Sequence, residues 1–175
     1  LTLTSNLMTG LGSWGVDDIA TYLKTGADKS KSTSLGPMSE VVHNSLSFMT
    51  DDDLQAMAEY LKALPASSAM SPDHQPDKTL AAGATTYVDN CSACHQAQGS
   101  GIPGVFPALA GNGVVLAADA NDILKVVLFG IPVQDGYIAM PGFGDKLSDQ
   151  QIADLANYLR SSWGNGAAVN ATAAQ

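Results

Sequence analysis

The residues best equipped for chemistry in this chain are its two cysteines and the histidine that follows them, Cys91-Ser92-Ala93-Cys94-His95. Two thiols three positions apart share one helical turn, so both can reach the two vinyl groups of a single porphyrin and form thioethers. The histidine beside the second thiol then falls beneath the iron, where its imidazole can act as an axial ligand. Three other readings compete. A zinc site needs four ligands, and the other histidines, His43 and His74, form no paired spacing with His95. A thioredoxin-type dithiol sits after a strand in a βαβ pattern, which the sequence lacks. A disulfide across two residues would leave His95 without a role. Covalent haem through Cys91 and Cys94, with His95 on the iron, is the expectation.

The flanking elements must hold that pentapeptide in place. Residues 79–90 read as a helix leading into it, with Gly83, Tyr87 and Cys91 four apart on one face. A glycine on such a face predicts that a second helix passes close. Residues 99–113 are rich in Gly and Pro and predict an extended loop along one edge of the macrocycle. Residues 121–130 read as a short helix, with Asn121 as its cap, an apolar face of Ile123, Leu124, Val127 and Leu128, and Gly130 as its stop. A last helix starts at the capping box Ser148-x-x-Gln151 and runs to about Trp163. Its apolar face is Ile152, Leu155, Ala156 and Leu159, with Tyr158 beside it.

Between these two helices lies Tyr137-Ile-Ala-Met140-Pro-Gly-Phe-Gly-Asp145. Iron held by His95 needs a ligand on its other face, and a thioether there suits electron transfer rather than oxygen chemistry. A methionine at an arbitrary position is more often a core gap filler. The attachment motif and the Pro/Gly loop instead make Met140 the expected second ligand.

With 175 residues, 45% of them apolar and 14% charged, the chain has room for one medium domain or two small ones and is too apolar for disorder. Runs such as 123–129 fall well short of a membrane span. No basic segment followed by an apolar stretch opens the chain, so an export signal is expected to have been removed already. The net charge of −9 is spread evenly: residues 1–75 carry 4 lysines against 9 acids, and residues 76–175 carry 4 bases against 8 acids. With no clustered Lys/Arg to hold phosphates, nucleic acid is excluded as the expected partner. An acidic skin suits solubility or docking to a basic patch.

The chain also repeats itself. Residues 50–62, Thr-Asp-Asp-Asp-Leu-Gln-Ala-Met-Ala-Glu-Tyr-Leu-Lys, match residues 148–160 at a constant offset of 98. Asp18-Ile19 and Gly26 parallel Asp122-Ile123 and Gly130 at an offset of 104, and Gly36-Pro37-Met38 takes the place of the Met140 loop. Such order indicates duplicated domains. The first copy lacks an attachment motif, and its face of Leu54, Met57, Tyr60 and Leu61 lacks a helix to cross. Each large side chain in such a face contributes about 1.5–3 kcal/mol when buried. The expectation is therefore that residues 1–66 are the C-terminal half of a module from a longer multihaem protein. Met38 would then be the axial ligand of a second haem whose cysteines lie upstream. The alternative is a half domain that has lost its haem and survives by packing on its neighbour. Residues 67–78 read as a Pro/Ser-rich linker with His74 solvated, His43 as surface or haem-edge, and residues 165–175 as a flexible tail.

Residues 79–164 resemble a class I cytochrome c. In that family a Gly-x-x-x-aromatic on the first helix crosses the last helix, which Gly83 and Tyr87 match against Leu155 and Tyr158. The resemblance also implies that the carbonyl of Pro107, twelve residues after His95, holds the second ring nitrogen of the histidine. The implied fold is all-α, one complete module preceded by half of another. The tandem arrangement, Leu11-Gly-Ser-Trp14-Gly, Gly36-Pro-Met38 and Phe106-Pro-Ala-Leu-Ala-Gly-Asn112 resemble more narrowly the multihaem cytochrome c subunits of bacterial membrane-bound dehydrogenases, quinoprotein alcohol or flavoprotein gluconate or sorbitol dehydrogenases. That resemblance implies electrons arriving from a catalytic dehydrogenase subunit and leaving toward quinone or a terminal oxidase, with catalysis on the partner. Covalent haem attachment to an exported chain implies an oxidising, periplasmic setting, with the inner membrane reached only through other parts or partner subunits. Two alternatives are a free-standing periplasmic shuttle and a dihaem peroxidase, which would need an open iron position.

Overall fold

Ser148 and Gln151 start the longest helix of the C-terminal half by capping one another. The Ser148 hydroxyl accepts the Gln151 amide at 3.3 Å, and the Gln151 side chain accepts the Ser148 amide at 3.0 Å. In the computed structural model this helix spans Asp149–Ser161, and residues 3–5, 10–28, 31–34, 37–66, 79–133 and 138–175 are described. The expected linker 67–78 with His74, and the positions Gly36 and Tyr137, lie outside the described residues.

The order is α1 (Val16–Thr25), β1 (Ala27–Asp28), β2 (Ser32–Thr33), α2 (Pro37–Asn44), a 3-10 turn (Leu46–Phe48), α3 (Asp51–Ala63), α4 (Thr79–Asn90), α5 (Ser92–His95), α6 (Asn121–Phe129) and α7 (Asp149–Ser161). The fold is all-α. Among the described residues two strands, two residues each, form one antiparallel pair after α1. The chain divides into two compact units, Leu1–Ala69 and Met70–Gln175.

In unit 1, α1 packs on α3. Asp18 accepts the Gly15 amide at 2.7 Å to open α1, and Thr50 accepts the Asp53 amide at 3.2 Å to open α3. Gly26 closes α1 at φ 77°, a backbone region that suits glycine. The core is Leu11, Ile19, Leu23, Val42, Leu46, Leu54 and Ala58.

In unit 2, α4 crosses α7, and α6 also packs on α7. A Cβ at Gly83 would collide with the Asp154 carbonyl oxygen and lie 2.6 Å from the Tyr158 Cβ, so only glycine permits this crossing. Ile152, Leu155, Ala156 and Leu159 are all buried in the core with Tyr87, Ile123, Leu124 and Val127. One cap differs from expectation. Asn121 is the first helical residue of α6, and Ala120 stands at the cap; the Asp119 carboxylate takes the Asn121 amide at 2.9 Å instead.

The C-terminal segment is a second correction. Within residues 165–175, expected to be a flexible tail, residues 165–171 pack along α7 and residues 172–175 are exposed. Ala167 and Ala171 are buried, and Asn157 bonds both backbone groups of Ala171 at 2.9 and 3.0 Å. The Arg160 guanidinium, fully buried, donates to Ala168 at 2.7 Å and to Val115 and Asp119 at 3.1 and 3.0 Å. Small residues suffice here because polar side chains of α7 satisfy the tail's backbone.

Candidate haem-attachment site

Cys91 follows the last turn of α4, and its amide still bonds the Tyr87 carbonyl at 2.9 Å. The chain then makes one more turn, α5, with the Cys94 and His95 amides both on the Cys91 carbonyl at 3.2 and 2.9 Å. The two thiols thus stand one turn apart, neither in a disulfide, with Cys91 buried and Cys94 exposed. Burial, reinforced by the neighbouring Cys94, pushes the Cys91 thiol up to about 11, with Lys146 opposing.

His95 is 7% exposed, and its Nδ1 lies 2.9 Å from the Pro107 carbonyl oxygen. A carbonyl only accepts, so Nδ1 carries the proton and donates. The Nε2 lone pair is left free to bind a metal. Burial pushes the imidazole below its ordinary value, and the Pro107 contact opposes this. The ring is therefore kept neutral, as a ligand must be.

The loop that delivers Pro107 is built on glycines. Gly101 adopts φ 61°, and a Cβ there would fall 2.6 Å from the Pro107 carbonyl oxygen, the one that His95 uses. Glycine alone suits both demands. The Gly101 amide bonds the His95 carbonyl at 3.0 Å, and Ile102 pairs with Phe106 across a tight turn. Two asparagines fix the residues beyond. Asn112 donates to Ala108 at 2.9 Å, and Asn165 holds both Leu109 and Gly111. Sequence reasoning assigned no structural role to Gly101, Asn165 or Arg160, whose roles lie in backbone groups it could not place beside them.

Met140 lies in a segment fixed at both ends. It exchanges two backbone hydrogen bonds with Ile131, each 2.9 Å. The Phe143 and Gly144 amides satisfy two of the last carbonyls of α6, Val127 and Leu128. The Ile138 amide bonds the Val105 carbonyl at 3.3 Å. The Met140 segment is therefore tied to the loop that carries Pro107. Met38, by contrast, stands in unit 1 on the first turn of α2, exposed. His43 is exposed on the same helix, its Nδ1 2.8 Å from the Ser39 carbonyl.

A porphyrin with covalent anchors fits this set of donors: two unpaired thiols on one turn, a buried imidazole with a fixed tautomer, and apolar side chains left bare nearby in sequence. Ile102 on the loop after His95, Phe129 at the end of α6 and Ile138 in the Met140 segment are all exposed, Phe129 to 79%. That is apolar surface of the kind a macrocycle covers. Among the described residues no three His, Cys, Asp or Glu side chains gather as an alternative metal cluster. No helix among them is long and apolar enough to cross a membrane.

An all-α domain with this pentapeptide and its proline loop is a cytochrome c domain. The family model for cytochrome c matches residues 80–163, and cytochrome c-552 of Thermus thermophilus is 35% identical over 95 residues, covering 50% of this chain and 72% of that protein. The chain belongs to the cytochrome c family, which carries covalent haem c and transfers electrons; Cys91, Cys94 and His95 fit its attachment motif. Over nearly all its length it is similar to the cytochrome c subunit of the quinone alcohol dehydrogenase of Gluconobacter oxydans (strain 621H), 43% identical over 180 residues. The gluconate 2-dehydrogenase cytochrome c subunit of Pantoea cypripedii is 39% identical over 180 residues. Each alignment covers 94% of this chain but only 37% and 41% of the relative, so the chain spans about two fifths of their length.

Proposed function

We propose that this chain relays electrons as the cytochrome part of a periplasmic dehydrogenase complex, taking them from a catalytic subunit and passing them toward quinone or a terminal oxidase. The observation that carries the reading is similarity to two dehydrogenase cytochrome subunits across both units, not across the haem domain alone. The haem c, when bound, supplies a one-electron iron couple. The chain's own residues set its surroundings. Cys91 and Cys94 hold it, His95 presents Nε2 with its Nδ1 proton fixed on Pro107, and Met140 offers a thioether from a segment already pinned to Ile131. With His95 and Met140 both holding it, the iron would keep no site for exogenous ligands, which would favour electron transfer over peroxide chemistry. Residues 1–66 are, on this reading, the C-terminal half of a second module, in which Met38 would help to hold a second haem.

The test is reduction of the oxidised holo chain by a quinoprotein alcohol or gluconate dehydrogenase catalytic subunit with its substrate. Rapid reduction that weakens with rising salt supports docking through the acidic surface. Reduction no faster than that of an unrelated acidic cytochrome c would overturn the dehydrogenase assignment.

A further inference from the structure

The segment 107–111 has no strand or helix to satisfy its backbone, yet it must hold the Pro107 carbonyl steady against His95. Its amides at Leu109 and Ala110 turn to one side, both onto the Gly99 carbonyl at 2.7 and 3.0 Å. On the other side stands Asn165, 2% exposed, on the segment just beyond α7. Its Oδ1 accepts the Gly111 amide at 2.8 Å; its Nδ2 donates to the Leu109 carbonyl at 3.1 Å and to the Leu159 carbonyl, in α7, at 2.8 Å. The carbonyl oxygen and both amino hydrogens of this buried amide are therefore spent tying the loop to the last helix. Next to it, the Trp163 ring occupies the space a side chain at Gly99 would need. The loop is thus clamped between Gly99, backed by Trp163, and Asn165.

We infer that Asn165 is a positioning residue for the iron ligand: it fixes the 109–111 segment on α7 and so sets the hydrogen bond from His95 to Pro107. The inference rests on His95 being the iron ligand, as the proposed function requires. A backbone fragment of two peptides separates Leu109 from Pro107, too short to absorb a shift without moving the carbonyl. A hydrogen bond from Nδ1 to a carbonyl raises the basicity of the ligating nitrogen and favours the oxidised iron. Weakening it therefore raises the reduction potential.

Asn157 supplies the matched comparison. It is also buried in α7 and also bonds two backbone groups of the tail, at Ala171. Those two bonds lie away from the 107–111 loop. In the oxidised holo chain, the His95 Nδ1 proton is followed by NMR exchange at a temperature below both variants' melting points. Asn165→Ala is expected to speed its exchange about tenfold and to raise the potential, while Asn157→Ala lowers the melting temperature, leaves the exchange within about twofold of the parent and leaves the potential unchanged. If Asn165→Ala takes up no haem, Asn165→Ser is measured the same way. Equal exchange and equal potentials in the Asn165 and Asn157 variants would overturn the inference. Loss of the haem-ligand signals in the unsubstituted chain would instead overturn His95 ligation itself.

Discussion

In unit 1 the Lys62 ammonium reaches back to the carbonyls of Leu11 and Gly12 at 3.2 and 2.9 Å. In unit 2 the Arg160 guanidinium, 98 positions later, reaches back to the carbonyl of Val115, 104 positions after Leu11. The parallel extends through both helix pairs. Gly26 and Gly130 close α1 and α6 with positive φ, Thr50 and Ser148 cap α3 and α7, and Leu54/Ile152 and Ala58/Ala156 are buried in matching places. The difference lies on one face. Tyr158 is half-buried against Tyr87 and Trp163, ring centroids 5.7 and 5.5 Å away. Its counterpart Tyr60 is 68% exposed, and Met57 is less buried than Leu155. One helix pair thus serves as a shared chassis, and the functional site arises where α4 crosses it and delivers the attachment turn.

The two regions diverge most sharply at the crossing. Gly83→Val drives a side chain into the Asp154 carbonyl and should destabilise unit 2 by about 3 kcal/mol or more. Tyr60→Ala on the corresponding bare face should cost no more than about 0.5 kcal/mol. Denaturant unfolding followed by helical circular dichroism separates the two; equal costs would mean that the two faces are equivalent after all.

Next in size is the pair of cations. Arg160→Met leaves the buried Val115 carbonyl and the part-buried Asp119 and Ala168 carbonyls without their donor, an expected cost of about 3 kcal/mol. Lys62→Met, at a half-buried site where water can replace the ammonium, should cost about 1 kcal/mol by the same unfolding measurement. If the lysine variant proved the more damaging, the guanidinium would not be the element that seats the C-terminal segment.

The smallest effects are in the pH profile. In the haem-free chain, where no iron occupies the His95 ring nitrogen, burial lowers the His95 value below 6.5, so between the folded and unfolded values the unfolded chain binds a proton that the folded chain refuses. Stability is then full above the unfolded value and declines as pH falls below it. Tyr87 runs the other way. Burial above all raises it from 10.0 to about 12, so the unfolded chain loses its proton first and stability falls as pH rises through that window. Tyr87→Phe should flatten the alkaline limb of a melting-temperature profile and leave the acid limb in place.

Much of this was legible beforehand because the signals are local. The capping box at Ser148, the glycine stop at Gly130 and the offset of 98 between α3 and α7 are read within a few residues, and α4 and α7 fall where periodicity puts them. Gly83 was readable as a close crossing because a glycine on an otherwise apolar helical face has few other uses. The tail was not readable. Ala167 and Ala171 carry little apolar surface, and their order comes from Asn157 and Arg160, whose backbone partners in the tail no local pattern shows. Asn165 and Gly101 were missed for a related reason. The loop groups that Asn165 holds lie 54 and 56 positions away, and Gly101 matters only through the approach of a carbonyl. The Asn121 cap failed because Asp119, two residues earlier, takes the amide that opens α6.

The most direct test of the central claim is the intact mass of the denatured chain recovered from a cytochrome c-maturing host. The expected result is the polypeptide plus one haem, unchanged by Met38→Ala and reduced to the bare polypeptide when Cys91→Ala and Cys94→Ala are combined. A parent chain that carries no covalent haem, or a haem retained covalently after both thiols are removed, would contradict it.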